Sequence, residues 1–319
     1  MPSYSGIWTL SQQFQAVGQG LWPPNFVPTE TFAIFALGCA GGSRSTTRDK
    51  YTYSGCVVSA GGAATVASQA GSAAGNSTVG IFALGSTSGG RVTTRNKYTY
   101  SGCVVSAGGT ATTASLGGSA AGNSTVGIFA LGSTCCGVVT TRNKYTYTGC
   151  VVSAGGAATV ASQQGSAAGN STVGIFALGL GSGCIRLTTR NKYTYSGCVV
   201  SAGGAATLAS YVGSAAGNST VGIFALGIVC SSRSTTRDKY TYSGDVVASA
   251  TAATTASGQG AAAGNSTLGI FALGFSNSGR VTTRNIYTYS GDVVTGGGAA
   301  TTASSCGSAA SNGTSGVNI

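Results

Sequence analysis

The chain has 319 residues, of which 54 are glycine, 42% are hydrophobic and only 7% are charged. This composition is typical of short strands joined by tight turns, and the regular recurrence of the apolar residues excludes a disordered chain. Sixteen Lys and Arg against five acidic residues give a formal charge of +11, which points to nucleic acid, to another anionic surface, or to a structural use of the basic side chains.

The first 30 residues lie outside the repeats described below and contain both tryptophans. Apolar residues from Ile7 to Leu21 follow one another at spacings of three and four, which predicts a short amphipathic helix ended by Pro23. We expect this segment to pack against its own chain, to trimerise, or to attach the chain to a virion component. The candidate attachment residues are Ile7, Trp8, Leu10, Phe14, Val17, Leu21 and Trp22.

From residue 31 onward the sequence repeats six times. The triplet Thr-Thr-Arg recurs at steps of 47 or 48 residues, beginning at Thr46, Thr93, Thr140, Thr188, Thr235 and Thr282. In the second repeat the residue types predict four strands, at 79–84, 97–100, 103–107 and 112–121, separated by Gly, Ser and Asn turns. A four-stranded unit of about this length is the period of a β-propeller blade.

The array begins and ends out of phase. It opens at Phe32 without the preceding Ala-Thr-x-Ala-Ser strand, and that strand appears at the other end, in residues 301–312. Such an offset lets the two ends of the array share one blade and leaves no open edge. We therefore predict an all-β fold over residues 31–319, a six-bladed β-propeller of four-stranded antiparallel blades, its ring closed by N- and C-terminal strands in one blade.

The repeat resembles that of kelch propellers. Residues 81–85 (IFALG) and the tyrosines Tyr98 and Tyr100 carry the match, whereas Ser86 replaces the second kelch glycine and the kelch tryptophan is absent. The phrases GNSTVGIFALG and TTRNKYTY, together with residues 5–14, also resemble propeller-type structural proteins of tailed bacteriophages. This resemblance implies a tail fibre, spike or other appendage of a virion, made in the host cytoplasm without a signal peptide.

Two stretches differ between the repeats, and we call them together the variable face. One is the loop after IFALG, at 39–45, 86–92, 133–139, 180–187, 228–234 and 275–281. The other is a residue pair before each SAAG-type strand, with candidate ligand-binding positions at Gln69, Leu116, Gln163, Tyr211 and Gln259. The alternating turns of an antiparallel meander place both stretches on one face. Such variation is expected of a binding surface, with drift in unconstrained loops as the alternative.

Each Thr-Thr-Arg arginine is followed two residues later by lysine in five of the six repeats. Near the variable face these side chains would form a cationic ring able to bind sulfated or carboxylated glycans or a lipopolysaccharide. The alternative is that each arginine satisfies loop carbonyls or bridges to the next blade. The candidates are Arg48, Arg95, Arg142, Arg190, Arg237 and Arg284, with Lys50, Lys97, Lys144, Lys192 and Lys239.

The chain contains no histidine, and its five acidic residues form no obvious acid and base pair. We therefore predict no enzyme activity, no metal site and no cofactor. The twelve YTY tyrosines are expected to pack between blades rather than to stack on sugars. The ten cysteines are expected to be mostly free thiols, because no export signal accompanies them.

These features predict a non-enzymatic structural protein of a phage virion that binds a host-surface receptor or glycan through the variable face. Its partners would be that glycan and, through residues 1–30, other virion proteins, with no nucleic acid and no membrane insertion. Homo-oligomers are compatible with the sequence. The alternatives are a lectin-like propeller outside any virion and a fibre assembled from stacked repeats.

Overall fold

Each repeat forms one four-stranded antiparallel sheet, because its apolar and β-branched runs are separated by turn residues. The computed structural model describes residues 31–313. Residues 1–30, with the predicted attachment helix, and residues 314–319 lie outside the described part. In sheet 2, Val79–Ala83 lies between Ser72–Gly75 and Arg95–Thr99, and Val104–Ala107 forms the outer edge. The prediction of an all-β chain built from repeated four-stranded units is confirmed.

The six sheets follow one another along residues 31–313 with nearly the same strand lengths, and we number them 1 to 6. Sheet 1 consists of Ser308–Ser311, Phe32–Ala36, Arg48–Thr52 and Val58–Ala60; sheet 2 of Ser72–Gly75, Val79–Ala83, Arg95–Thr99 and Val104–Ala107; sheet 3 of Ser119–Gly122, Val126–Ala130, Arg142–Thr146 and Val151–Ala154; sheet 4 of Ser166–Gly169, Val173–Ala177, Arg190–Thr194 and Val199–Ala202; sheet 5 of Ser214–Gly217, Val221–Ala225, Arg237–Thr241 and Val246–Ala250; sheet 6 of Ala261–Gly264, Leu268–Ala272, Arg284–Thr288 and Val293–Gly296.

Short elements connect these strands. Two-residue strands form hairpins after the second strand of sheets 1, 2, 3, 5 and 6, and the corresponding loop of sheet 4 contains a 3-10 turn. The hairpin strands are Cys39–Ala40 with Ser43–Arg44, Ser86–Thr87 with Gly90–Arg91, Ser133–Thr134 with Gly137–Val138, Ile228–Val229 with Ser232–Arg233, and Phe275–Ser276 with Gly279–Arg280. The remaining short elements are the strands Ser162–Gln163, Leu180–Gly181, Ser210–Tyr211, Ser257–Gly258 and Ser304–Ser305 and the 3-10 turns Ser101–Cys103, Thr148–Cys150 and Ser182–Cys184.

Sheet 1 joins the two ends of the described chain. Ser308–Ser311 pairs antiparallel with Phe32–Ala36, as the out-of-phase repeats predict. An asparagine side chain completes this junction, because Asn312 Oδ1 accepts a hydrogen bond of 2.7 Å from the Phe32 amide. In sheet 2 the chain continues through the corresponding turn, and there Asn76 Oδ1 accepts the equivalent hydrogen bond from the Val79 amide at 2.9 Å. The asparagines of the Asn-x-Thr triplets thus shape turns.

The predicted fourth strand, 112–121, is wrong in its extent. The structure retains Ser119–Gly122, and Leu116 forms only an isolated bridge with Ser133. Gly117, with φ of +66°, breaks the strand between them. All six sheets are preceded by a residue with positive φ at this position, and we call these residues the αL set. Its members are Ala70, Gly117, Gln164, Val212, Gln259 and Cys306.

The αL set forms a closed cycle of backbone hydrogen bonds. The Gly117 amide donates to the Ala70 carbonyl oxygen at 2.8 Å, and the next three links repeat this step from sheet to sheet. Cys306 N donates to Gln259 O at 2.8 Å, and Ala70 N donates to Cys306 O at 2.9 Å, which returns the cycle to its start. The positive φ turns each amide out of its own sheet and toward the neighbouring repeat, so the break in the strand makes this cycle possible.

A glycine lies against the backbone of each member of the αL set, where a side chain would clash with the cycle. Gly85 has φ of +72°, and a Cβ placed on it would lie 2.5 Å from the Ala70 carbonyl oxygen. We expect Gly85→Ala to lower the free energy of unfolding by about 2–3 kcal/mol, measured by urea denaturation. Gly89→Ala is the control, because the nearest atom to its Cβ would be 3.9 Å away. Equal stability of the two variants would contradict a tightly packed cycle.

The apolar core lies between neighbouring sheets. In one cluster Ala74 and Ile81 of sheet 2 pack with Phe129 and Tyr145 of sheet 3. Both tyrosines of every YTY motif are buried, so the packing role predicted for them is confirmed. The SAAG-type strands also contact one another in cyclic order, and Ser308–Ser311 lies between Ala261–Gly264 and Ser72–Gly75. Each sheet is therefore covered by its neighbours on both faces, which explains the continuous burial of the VGIFA strands.

Candidate binding face

The six Thr-Thr-Arg arginines do not form an exposed cationic ring, and this prediction is wrong for them. Each of these residues is only 1% exposed, so the guanidinium groups cannot meet a glycan. Arg48 Nη1 donates to the Gly62 carbonyl oxygen at 3.3 Å, and Arg48 Nη2 donates to Asn96 Oδ1 of the next sheet at 3.1 Å. The alternative prediction, that each arginine bridges to the next repeat, is therefore confirmed.

The same bridge recurs around the described sheets and also closes on itself. The acceptor is the residue after the next arginine, and it is Asn in four cases and Asp in two. The donor and acceptor pairs are Arg48 with Asn96, Arg95 with Asn143, Arg142 with Asn191, Arg190 with Asp238, Arg237 with Asn285, and Arg284 with Asp49. Each guanidinium carbon also lies 4.5–4.8 Å from the ring centre of a phenylalanine in that next sheet.

A threonine hydroxyl beside the acceptor of each arginine bridge can form a hydrogen bond with either Asn or Asp. Thr207 Oγ1 donates to Asp238 Oδ1 at 2.6 Å, whereas Thr65 Oγ1 accepts from Asn96 Nδ2 at 2.8 Å. The hydroxyl rotates to suit its partner, so both acceptors are satisfied. Burial nevertheless opposes the charged guanidinium and lowers the pKa of Arg48 to about 10. Arg48 therefore remains charged at neutral pH, and all six arginines bridge neighbouring sheets.

The five lysines lie on the third strands and are half-buried. Lys50 Nζ lies 4.3 Å from the centre of the Phe32 ring in its own sheet. Lys192 Nζ forms a salt bridge of 3.0 Å with Asp245, a residue of the turn after the third strand of sheet 5. That turn is at the end of the strand remote from the hairpins. The structure thus contradicts the prediction that Lys192 belongs to a cationic ring at the variable face. Lys97, Lys144 and Lys239 occupy the equivalent strand positions.

The two variable stretches lie side by side, so the prediction that they share a face is confirmed. Gln163 pairs with Leu180 and Tyr211 pairs with Ile228 in short antiparallel strands. Gln69 and Leu116 form the equivalent isolated bridges with the loop after IFALG. Gln259 differs from these four because it belongs to the αL set. All five predicted variable positions are half-buried.

A second set of arginines, missed as candidates, lies on the variable face. Each precedes a buried arginine by four residues, and the set is Arg44, Arg91, Arg186, Arg233 and Arg280. Arg44 and Arg91 are exposed, and the other three are half-buried. In the third repeat Val138 occupies this place. The recurrence in five of six otherwise variable loops is a signal that the sequence contained and that could have identified them.

These arginines reach from one hairpin to the next. Arg91 Nη2 donates to Ser133 Oγ at 3.4 Å, and Arg186 Nη2 donates to Ser231 Oγ at 3.2 Å. Arg280 Nε donates to Ser305 Oγ at 3.1 Å, so the pattern continues across the junction of sheets 6 and 1. The contacts orient the guanidinium groups along the face but satisfy only part of their five donors. We infer that the exposed donors among the remainder could bind a ligand, whereas Arg186 Nε is buried.

No carboxylate neutralises these five arginines in residues 31–313. Asp49 and Asp238 are completely buried against Arg284 and Arg190. Asp245 and Asp292 lie in the turns at the opposite end of the third strands. The variable face is therefore positively charged, and its arginines donate hydrogen bonds to neutral Ser, Asn and Cys side chains. Such a surface attracts anions at a range set by ionic strength.

Two aromatic side chains interrupt this positive surface in sheets 4 to 6. The guanidinium carbon of Arg186 lies 5.3 Å from the centre of the Tyr211 ring. Those of Arg233 and Arg280 lie 4.7 Å and 5.5 Å from the centre of the Phe275 ring. Both rings are half-buried. Arginines with adjacent aromatic rings combine a charge for an anionic group with an apolar surface for a sugar ring.

The described residues also bear on membrane insertion and metal binding. No helix between residues 31 and 313 is long and apolar enough to cross a membrane. The same part of the chain contains no group of three or more Cys, Asp or Glu side chains arranged to hold a metal ion. No protein-family model and no curated protein matches the chain, so the likeness to kelch and phage repeats is carried by the quoted motifs alone.

Proposed function

We propose that the six sheets are the blades of one closed six-bladed β-propeller. Three sets of contacts support the proposal: the backbone cycle of the αL set, the arginine bridges, and the cyclic order of the SAAG-type strands. Each set passes through all six sheets and through the junction in sheet 1. A closed ring leaves the apolar side chains between sheets with a partner on each side, which a row of six sheets could not do at its ends.

We propose further that the variable face binds an acidic glycan. The observation that carries this proposal is the set of five arginines on that face without a carboxylate beside them. Guanidinium groups donate paired hydrogen bonds to sulfate, phosphate and carboxylate oxygens, whereas exposed single contacts are weak. A polymer with repeated charges can engage several arginines at once, and the combined affinity then exceeds that of each contact.

The proposed setting is the virion of a tailed phage, where the protein would belong to a fibre or another appendage. The likeness of the repeat and of residues 5–14 to phage structural proteins supports this setting. Residues 1–30 would then attach the propeller to other virion proteins, and the variable face would bind the host surface. A lectin-like propeller outside a virion would use the same face and differs only in what residues 1–30 contact.

The test compares two variants that lose the same charge. In one, Arg44, Arg91, Arg186, Arg233 and Arg280 are changed to Gln, and in the other, the five third-strand lysines are changed to Gln. Both lower the net charge from +11 to about +6, so long-range attraction changes equally. We expect binding to a heparin octasaccharide or to polygalacturonate to weaken at least about tenfold in the arginine variant, a change of about 1.4 kcal/mol.

The lysine variant is expected to keep affinity within about twofold of the unaltered protein, a difference below 0.5 kcal/mol. Calorimetry at two salt concentrations measures both, and neutral dextran serves as the uncharged ligand. Equal losses in the two variants would mean attraction by net charge alone. Unchanged binding in the arginine variant would exclude the variable face as the site. Thermal unfolding of each variant checks that the fold persists.

A further inference from the structure

The hairpin of sheet 3 differs from the other variable loops in having two adjacent thiols. Ser133–Thr134 and Gly137–Val138 pair antiparallel, so Cys135 and Cys136 form the two-residue loop between them. Both cysteines are exposed, and their Sγ atoms lie 3.3 Å apart. The loops of sheets 4 and 5 each contain one exposed cysteine, Cys184 and Cys230. Sheet 3 is also the sheet in which valine replaces the arginine of the variable face.

The backbone around the two thiols is fixed by local hydrogen bonds. Thr134 Oγ1 accepts from the Cys136 amide at 3.3 Å and donates to the Gly137 carbonyl oxygen at 3.2 Å. Gly137 supplies the positive φ, +114°, with which the loop returns to the second strand. The short Sγ···Sγ separation is thus a property of an ordered turn whose ends are paired strands. Little conformational freedom remains to be lost when one atom bridges both sulfurs.

We propose that Cys135 and Cys136 form a dithiol site for trivalent arsenic compounds. In the reaction with an organoarsenous acid, two As–O bonds break and two As–S bonds form. Each hydroxyl group leaves with one thiol proton as water, so two waters are released and arsenic stays trivalent. No oxidant or reductant takes part. Sulfur ligands suit a soft acceptor of this kind better than the oxygen and nitrogen groups that surround the loop.

The pair binds such a compound more firmly than a lone thiol does. Once the first As–S bond has formed, the second thiol reacts within the same molecule, at a high effective concentration. A monothiol such as glutathione can displace arsenic from one sulfur but not readily from two. The Cys135 thiol raises the pKa of Cys136, so this thiol keeps its proton at neutral pH and releases it as water in the condensation. The site is independent of the glycan proposal.

The test uses the full chain, reduced and then treated with equimolar phenylarsine oxide in a large excess of glutathione. Intact-mass spectrometry is expected to show one phenylarsenic group per chain, removed by 2,3-dimercaptopropanol. Cys135→Ser and Cys136→Ser are each expected to abolish the retained label, because one thiol remains. Cys184→Ser and Cys230→Ser are the matched controls and should retain it.

Three outcomes would overturn the proposal. The unaltered chain could retain no label in the presence of glutathione, or the Cys135→Ser variant could retain it in full. A label that persists in Cys135→Ser and disappears in Cys39→Ser would place the dithiol at Cys39 and Cys306 instead, because Cys39 pairs with Ser305, the residue before Cys306. Circular dichroism of each serine variant confirms that the fold is intact, and the exposed loop gives no reason for a serine to disturb it.

Discussion

Replacing Asp238 by alanine is expected to lower the free energy of unfolding by about 3–5 kcal/mol, because it leaves a buried guanidinium without its partner. Asp238 Oδ2 lies 2.7 Å from Arg190 Nη2, and both side chains are completely inaccessible to solvent. The same carboxylate accepts from the Thr207 amide at 3.0 Å, so the variant loses a second contact. Chemical denaturation measures the change, with the slope checked for constancy.

Two substitutions at equivalent positions are controls for this result. Asp238→Asn keeps an acceptor of the same shape, and Asn143→Asp places a carboxylate where sheet 3 has an amide. The chain itself uses both residue types at this position, and the threonine hydroxyl adapts to either, so we expect each change to stay within about 1 kcal/mol. A loss below about 1 kcal/mol for Asp238→Ala would mean that the guanidinium finds another acceptor.

A second large effect is expected at high pH, where the buried tyrosines oppose ionisation. Burial raises the pKa of eleven of the 14 tyrosines, and other contacts modify this effect. These residues are Tyr51, Tyr53, Tyr98, Tyr100, Tyr145, Tyr147, Tyr193, Tyr195, Tyr240, Tyr242 and Tyr289. In the unfolded chain the tyrosine pKa is about 10. At these tyrosines the folded state therefore binds more protons than the unfolded state above that pH.

It follows that the stability supplied by the protonated tyrosines is fully present below about pH 10 and is lost as pH rises through the folded-state values. The buried arginines act in the opposite sense, because burial lowers the pKa of Arg95 to about 10 and the unfolded chain then binds the extra proton. Six arginines oppose eleven tyrosines, so the net expectation is alkaline unfolding.

The measurement is a pH titration followed by phenolate absorbance and by far-ultraviolet circular dichroism. We expect most phenolate absorbance to appear in one steep step that coincides with the loss of β structure. The chain unfolded in guanidinium chloride is the control and should titrate smoothly near pH 10. A smooth titration at that pH in a chain that keeps its β signal would show that the phenol groups are accessible and would contradict their burial.

The residue types predicted the second strand well because that strand is apolar on both faces. The run VGIFAL was predicted at 79–84 and the strand is Val79–Ala83. The αL set could not be predicted, since its members are as different as Gly117 and Val212, and a β-branched residue with positive φ gives no warning in a sequence. Each strand is determined by its own residues, whereas the positive φ at this turn depends on hydrogen bonds between different repeats.

The two sets of arginines show the same limit of prediction from sequence. Nothing in the spacing of Arg48 reveals whether its side chain points to solvent or between sheets. A clue lay in the next residue, which is Asn or Asp in every repeat and supplies the acceptor of the preceding sheet's arginine. Arg44 lies in a loop whose other residues vary, and the recurrence of arginine at this place in five of the six repeats was the signal for it in the sequence.

Because of the junction in sheet 1, the contacts between strands do not depend on which turn of the repeats is open. Phe32 and Asn312 meet through the hydrogen bond that Val79 and Asn76 form inside a continuous turn. Every sheet thus has the same neighbouring sheets whichever turn is open. The sheets differ from one another mainly in their loops on the variable face. An exchange of one loop for another between repeats would therefore leave the strands with the same contacts. The molecule combines a nearly constant set of strands with six loops that differ from repeat to repeat.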